Sequence, residues 1–247
     1  MQADEFRKMV ATEDVLWYYR ALHRHVLRSL AAALPKPGAR VLDAGCGTGG
    51  LLRRVHEARP DWALTGIDVS PLAVELARGR TGSAVAEGSV EALPFAGEEF
   101  DAVVSCDVLC QVAKPEKALR EFHRVLRPDG FVVLTMPAYQ WMYSYHDREV
   151  GNLRRYSRRQ VAALLRDAGF GVVRNTYWNT LPFPLAVLRR KVFPPATPGS
   201  DVKLLPAPVE AGFTALMAVE HAWLGAGARL PFGNSVLTVA SKSPAVG

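Results

Sequence analysis

The sequence of 247 residues predicts an α/β protein with a mostly parallel, seven-stranded sheet and helices on both faces. Two observations predict it. Short apolar segments alternate with amphipathic segments along most of the chain, as expected for strands separated by helices. A glycine-rich turn over residues 41–50, Val-Leu-Asp-Ala-Gly-Cys-Gly-Thr-Gly-Gly, joins the first strand to a helix. Ligands are therefore expected beyond the carboxyl ends of the strands.

The first half of the chain shows clear boundaries between elements. An amphipathic helix is predicted over 12–34, with Thr12 as its cap and prolines after its end. Ser70 followed by Pro71 opens a later helix, because proline suits the first helical turn. Strands are predicted at 39–43, 62–67, 85–88 and 100–105, and helices at 49–58, 71–79 and 117–126.

The second half continues the pattern and then departs from it. A fifth strand is predicted over 131–136, after the Pro-Asp-Gly turn at 128–130. A helix over 157–169, a sixth strand from Phe170 towards Tyr177 and a last strand over 235–241 follow. Between the last two strands, 178–234 is predicted to be a helical insertion in the domain 39–247, with 1–38 as an N-terminal lid. The insertion is expected to cap the pocket, to form a homodimer interface, to admit a lipophilic substrate or to add core.

Composition and charge limit the classes of function. The chain is 49% hydrophobic, which suits one domain with one large core. A net charge of +6 permits an anionic partner without requiring one. The three cysteines lack the paired spacing of a zinc site, so a reduced, cytoplasmic protein without a metal is expected. Neither a signal peptide nor an apolar run of about 18 residues is present.

The glycine turn by itself is compatible with two cofactors. Gly45, Gly47 and Gly50 satisfy the dinucleotide fingerprint G-x-G-x-x-G, and Asp68 lies at the distance along the chain where a ribose ligand is expected. Gly45, Gly47 and Gly49, after Asp43, satisfy D-x-G-x-G-x-G equally well. The turn therefore does not separate a nicotinamide cofactor from S-adenosylmethionine.

Five segments in order carry a specific resemblance over residues 39–136. They are the turn at 41–49, Gly-Ile-Asp-Val-Ser at 66–70, Glu-Ala-Leu-Pro-Phe at 91–95, Phe-Asp-Ala-Val-Val-Ser at 100–105 and Arg-Val-Leu-Arg-Pro-Asp-Gly at 124–130. Together they resemble the class I S-adenosylmethionine-dependent methyltransferases, which implies a Rossmann-like, doubly wound sheet and S-adenosylmethionine as the cofactor. The resemblance implies that backbone near Gly45 and Gly47 holds the methionine part and that Asp68 binds the ribose. It also implies the full set of cofactor residues, which is Asp43, Gly45, Cys46, Gly47, Gly49, Asp68, Val69, Ser89, Val90 and Ser105.

A second group of residues is predicted to hold the methyl acceptor. Trp-Tyr-Tyr-Arg at 17–20 and the segment 146–156 resemble a subgroup with an aromatic lid and a His-Asp…Arg-Arg-Tyr loop. His146 is the first candidate for a general base and Asp107 the second, with Tyr143 beside them. The alternatives are that His146 orders its loop and that Asp107 is a cap or loop anchor. The predicted acceptor contacts are Tyr18, Tyr19, Gln111, Tyr139, Trp141, Arg154, Arg155 and Tyr156, although the two arginines are equally suited to pair with Asp147 and Glu149.

These assignments predict methyl transfer to oxygen or nitrogen of a small molecule that is aromatic, lipophilic or acidic. In-line displacement requires the protein mainly to hold the nucleophile about 3 Å from the methyl carbon. A nucleic-acid substrate is the alternative that the basic charge allows. Against it, the chain lacks both an Asn/Asp-Pro-Pro-aromatic segment and a Pro-Cys nucleophile. A protein that binds the cofactor without methylating is the third reading.

Overall fold

The computed structural model describes residues 3–195 and 199–242. These residues form one sheet in the order β3-β2-β1-β4-β5-β7-β6. The pairs among β1 to β5 are parallel, whereas β7 is antiparallel to both β5 and β6. The predicted mostly parallel, seven-stranded sheet is thereby confirmed. Its strands are β1 Arg40–Ala44, β2 Ala63–Asp68, β3 Ala84–Glu87, β4 Phe100–Cys106, β5 Leu126–Pro137, β6 Phe170–Trp178 and β7 Ser235–Lys242.

Helices cover both faces of the sheet. Buried side chains of α5 and α7 pack on one face, and those of α2, α3, α4 and α9 pack on the other. None of the helices in the described part of the chain is long and apolar enough to cross a bilayer. The helices are α1 Ala3–Thr12, α2 Trp17–Ala33, α3 Gly50–Ala58, α4 Pro71–Thr81, α5 Pro115–Val125, α6 Tyr145–Val150, α7 Arg158–Asp167, α8 Phe183–Val187 with a π-helical continuation Leu188–Val192, and α9 Ala207–Gly225.

The N-terminal segment forms two helices instead of the single helix predicted over 12–34. Thr12 ends α1, and its hydroxyl donates to the carbonyl of Lys8. The chain then turns at Glu13, a buried residue that forms an ion pair with Arg80. The backbone N–H of Trp17, which opens α2, donates to the Glu210 carboxylate at 3.0 Å. Because that acceptor comes from α9, the sequence near Trp17 contains no sign of the helix start.

The insertion lies between β6 and β7, as predicted, and begins at a buried carboxylate. Glu220 of α9 is fully buried and accepts hydrogen bonds from the backbone N–H groups of Asn179, Thr180 and Leu181. A buried carboxylate is stable where several donors satisfy it. This contact fastens α9 to the end of β6 and holds the insertion above the carboxyl ends of the strands.

Candidate active site

A cavity of about 990 Å³ lies at the carboxyl ends of β1, β2 and β4. This is the edge of the sheet at which ligands were expected. The volume is at the upper end of the range for small-molecule pockets, so the cavity has room for a cofactor and a second molecule. Its walls come from the N-terminal helices, the strand ends and the insertion.

One wall of the cavity is formed by the glycine turn and the end of β2. Gly45 has φ +87°, and a Cβ there would overlap the side chain of Val108. The Asp68 carboxylate accepts from the backbone N–H of Gly47 at 3.0 Å and of Ser70 at 2.9 Å, which fixes its orientation. The structure brings together on this wall most of the predicted cofactor residues: Asp43, Gly45, Cys46, Gly47, Asp68, Val69, Ser89 and Val90.

Two predicted cofactor residues lie behind this wall. Gly49 has φ +82°, and a Cβ there would press against Ala77 and Thr81 of α4. The Ser105 hydroxyl is buried and donates to the carbonyl of Ala44 at 2.9 Å. Gly49 thus permits close packing of α4, and Ser105 joins β4 to β1, while neither lines the cavity.

A carboxylate occupies the N-terminus of α3, where a dinucleotide would place its pyrophosphate. Glu13 accepts a hydrogen bond from the Thr48 hydroxyl at 2.6 Å and forms an ion pair with Arg80. A Cβ on Gly50, the first residue of α3, would overlap the Glu13 carboxylate. A pyrophosphate at this position would meet a steric block, because the Glu13 carboxylate already lies against the backbone of Gly50.

The same wall is acidic at the end of β1. Burial raises the pKa of Asp43 to about 7, and the neighbouring charges of Asp68 and Glu13 act in the same direction. Two or three carboxylates at close range disfavour one another's ionisation and favour a bound cation. A cationic ligand at this wall would favour the ionised form of Asp43.

The next part of the cavity contains a buried carboxylate with a phenol against it. Asp107 follows β4, has φ +56° and accepts from the Tyr18 hydroxyl at 2.8 Å and the Thr135 hydroxyl at 3.2 Å. Burial raises the pKa of Asp107, and the two hydroxyl donors oppose that rise. The Tyr18 ring stacks on Trp178 with 5.3 Å between centroids. This stacking fixes the ring while its hydroxyl donates to Asp107. Tyr19 and Gln111 also line this part.

The far end of the cavity lies under α6 and α8 and is rich in arginine. Arg155 is buried and donates through Nε to Asp147 at 2.7 Å. Arg190 donates to Asp201, and the backbone N–H of Asp201 donates to Nδ1 of His146 at 3.0 Å. Burial and the nearby Arg190 charge lower the pKa of His146 to about 4. A neutral imidazole that accepts at Nδ1 carries its proton on Nε2, so His146 is an N–H donor here.

Sequence and structure comparisons agree with this geometry. Residues 42–134 match the family described as a methyltransferase domain. A malonyl-[acyl-carrier protein] O-methyltransferase from Herminiimonas arsenicoxydans is 38% identical over 172 residues, which cover 67% of this chain and 64% of that protein. The comparisons therefore assign residues 42–134 to the methyltransferase-domain family and support a class I S-adenosylmethionine-dependent methyltransferase.

Other members of the family extend the comparison. An uncharacterized protein in transposon TN4556 of Streptomyces fradiae is 36% identical over 182 residues, 66% of this chain and 50% of that protein. The chain thus spans about half to two thirds of the length of these two relatives. The relatives include both C- and O-methyltransferases. A putative methyltransferase from Haloferax volcanii, solved in complex with the Trm112 activator, shares the fold with a TM-score of 0.67 and 22% identity over 98% of this chain and 95% of that one.

The wall formed by the glycine turn fits the cofactor of this family. S-adenosylmethionine carries a sulfonium and an ammonium, which suit the acidic side chain of Asp43. Each oxygen of Asp68 accepts one backbone N–H and has a further lone pair for a ribose hydroxyl. Gly45 and Gly47 have φ of +87° and +53°, which glycine adopts readily, so this part of the wall is backbone without side chains of its own.

Several predicted acceptor residues lie outside the cavity. The Tyr143 hydroxyl donates to the carbonyl of Asn152 at 2.8 Å, and Tyr139 stacks on Tyr177 with 5.0 Å between centroids. Trp141 is 55% exposed. Arg154 donates to the carbonyl of Ala113, and the buried Tyr156 hydroxyl to that of Leu109. Tyr139 has φ +61° just after β5, and none of these five side chains is among the residues that line the cavity.

The cavity residues that the sequence-based prediction missed include Glu13, Arg189, Arg190 and Asp201. Glu13 lies in the turn between α1 and α2, and Arg189, Arg190 and Asp201 belong to the insertion. The Arg-Arg-Lys run at 189–191 inside an apolar helix was a usable signal for cations beside an apolar surface. Asp201 lies in a proline-rich loop, and nothing in its local sequence distinguishes it.

Proposed function

We propose that the chain transfers a methyl group from S-adenosylmethionine to oxygen or nitrogen of a lipophilic small molecule. The observation that carries the proposal is that the cofactor wall and an apolar chamber belong to one cavity. The chamber is roofed by Trp17, whose ring stacks on Phe213 at 4.8 Å, and by side chains of α8. Its apolar lining comprises Leu16, Trp17, Val112, Val150, Pro182, Leu185, Ala186, Leu205, Val209 and Phe213.

The residues of this chain would position the acceptor atom, reduce its contact with water and accept its proton. The cofactor supplies a methyl group already activated on sulfur, so the acceptor atom needs chiefly to be held in line with it. Closure of the apolar side chains over a bound acceptor would remove water that shields the nucleophile. The N-terminal helices and the insertion are proposed to act as parts of one methyltransferase domain, because both complete the chamber.

Asp107 is the proposed proton acceptor. It lines the cavity beyond the cofactor wall, whereas His146 presents an N–H donor at neutral pH. Replacing Asp107 by asparagine is expected to lower kcat about 100-fold or more for a hydroxyl or amine acceptor, since general base catalysis contributes on that order. With a raised pKa, ionised Asp107 accumulates as the pH rises, so the rate should rise with pH in the wild type and lose that limb in D107N.

The matched control for this prediction is Tyr18→Phe. It removes the hydroxyl that donates to Asp107 and retains both the carboxylate and the ring on Trp178. Y18F should retain the pH-dependent limb with a modest loss of kcat. Full activity of D107N over the whole pH range would contradict the assignment of Asp107.

Label transfer tests the proposed function. The full chain is incubated with S-adenosylmethionine labelled in the methyl group, together with lipid extract, water-soluble metabolites or bulk RNA as separate acceptor pools. Label is expected in a product that partitions into organic solvent. Transfer to RNA alone, or to none of the pools at any enzyme concentration, would contradict the proposal.

The outer face of α9 supports the proposed homodimer. Leu216, Val219 and Trp223 are each 39 to 47% exposed and share one face of the helix. An exposed apolar patch of this kind is typical of a protein interface. If it joins two copies of the chain, light scattering should report a dimer for the wild type and for the control L153E, which alters another exposed leucine, and a monomer for W223E.

A further inference from the structure

The far end of the cavity contains more positive than negative charge. Arg155, Arg190, Arg189 and Lys203 line it, whereas the carboxylates that pair with these groups are Asp147 and Asp201. Asp201 accepts hydrogen bonds from two arginines. Burial raises the pKa of Asp201, but the Arg190 charge, the His146 charge and the hydrogen bonds from Arg190 and Arg189 together lower it to about 2. With His146 neutral, this end therefore has a net positive charge.

Arg190 is buried and incompletely paired. Its side chain is 7% exposed and donates to Asp201 through Nε at 3.0 Å and Nη2 at 2.8 Å. Nη1 is also buried but has no hydrogen-bond partner among residues 3–195 and 199–242. Buried guanidinium N–H groups are stable when an acceptor meets them, so an unmatched one beside a cavity indicates a ligand with acceptor atoms.

The surrounding groups are donors as well. Nε and Nη1 of Arg155 are engaged by Asp147, Ala138 and Asn234, and Arg155 is among the residues that line the cavity. His146 retains its Nε2 proton because Nδ1 accepts from the backbone of Asp201. An arginine N–H pair beside an imidazole N–H matches the oxygens of a carboxylate or phosphate.

We propose that this end of the cavity binds an anionic oxygen headgroup, a carboxylate or a phosphate, carried by an apolar body. Arg190 is the principal residue, and its Nη1 donates to the headgroup while Asp201 holds the other two nitrogens. The apolar body lies along Leu185, Val209 and Phe213 towards Asp107. The inference rests on the proposed function only in naming this molecule as the methyl acceptor.

Binding of three probes with the same ten-carbon chain tests the proposal. Decanoate, decyl phosphate and the uncharged decanamide are titrated by calorimetry into the full chain saturated with S-adenosylhomocysteine. One or both anions are expected to bind about 10- to 100-fold more tightly than decanamide, which is the effect of a charge-assisted pair of hydrogen bonds. Equal affinity for the anions and the amide would overturn the proposal.

Substitutions at two adjacent residues of one helix test whether Arg190 is responsible for the preference for anions. Arg190→Met should reduce anion affinity to that of decanamide and leave decanamide affinity within about threefold. Lys191→Met removes the same charge one residue away, where the ammonium donates to the Tyr143 carbonyl outside the cavity, and should leave the anion preference unchanged. An unchanged preference in R190M, or an equal loss in K191M, would contradict the assignment of Arg190.

Two further measurements distinguish a loss of anion binding from misfolding, and the anion site from the proposed methyl transfer. Arg190→Lys retains a charge that can pair with Asp201 and should show an intermediate anion preference even if R190M fails to fold. S-adenosylhomocysteine affinity is measured for each variant and should be unchanged. If anions bind preferentially but no label is transferred to any acceptor, the headgroup site stands and the proposed methylation fails.

Discussion

Replacing Asp68 by alanine is expected to weaken S-adenosylhomocysteine binding about 100-fold or more. The carboxylate fixes the backbone of Gly47 and Ser70 and offers its remaining lone pairs to the ribose hydroxyls. Hydrogen bonds to a charged group contribute about 1.5–3 kcal/mol each, and the variant loses more than one. Calorimetry measures the change directly.

Asp61→Ala is the matched control for this variant. Asp61 is an aspartate at the surface, paired with Arg59 near the opposite end of β2. It should bind S-adenosylhomocysteine like the wild type. A loss below threefold in D68A, with thermal stability retained, would contradict the cofactor position.

Replacing Asp147 by alanine is expected to lower the free energy of unfolding by about 3–5 kcal/mol, because it leaves Arg155 as a buried, unpaired charge. Arg155 and Asp147 are 1% and 0% exposed. Asp147 also accepts from the Asn152 amide and the backbone N–H of Ser144. Chemical denaturation measures the loss, and a change below about 1 kcal/mol would contradict this role of the ion pair.

The double variant Asp147→Leu with Arg155→Met tests whether the loss of stability in D147A comes from the unpaired charge of Arg155. Apolar residues of similar size often replace a buried ion pair at little cost in stability. The double variant should therefore be more stable than D147A alone. An equal or lower stability would mean that the hydrogen bonds to Ser144 and Asn152 matter more than the charge pair.

The pH dependence of stability has a defined sign at this pair. Burial raises the pKa of Asp147, but Arg155 outweighs it and the pKa falls below its usual value. A carboxyl with a lowered folded-state pKa stabilises the fold above its unfolded pKa of about 3.9, and the contribution disappears as the pH falls further. The wild type should therefore lose more stability than the double variant on acidification.

The sheet and the cofactor wall could be predicted because local sequence determines them. Asp43, Gly45, Gly47 and Asp68 follow strands whose apolar patterns are clear, and parallel strands bring their carboxyl ends together. The glycine turn alone left two cofactors open, and the five segments over residues 39–136 implied S-adenosylmethionine by resemblance. The structure adds a residue that no local pattern indicates. Glu13 occupies the N-terminus of α3 from another part of the chain, and only the fold shows that a pyrophosphate would meet it.

The acceptor side was harder because its residues depend on how the loops after β5 and β6 cross the sheet. Tyr139, Trp141 and Tyr143 were predicted to line an aromatic pocket. Instead, Tyr139 stacks on Tyr177 and Trp141, and the Tyr143 hydroxyl donates to the Asn152 carbonyl. Tyr18 was predicted to face the ligand and does line the cavity. Arg155 was predicted either to bind substrate or to pair with an acid, and it pairs with Asp147 beside the cavity.

The most direct test of the cofactor and of the cavity together is calorimetric titration of the wild-type chain with S-adenosylhomocysteine and, separately, with NAD. The acidic wall of Asp43 and Asp68, with Glu13 over the N-terminus of α3, predicts one site of micromolar affinity for S-adenosylhomocysteine and no binding of NAD. Binding of NAD in the same range, or of neither ligand, would contradict the account.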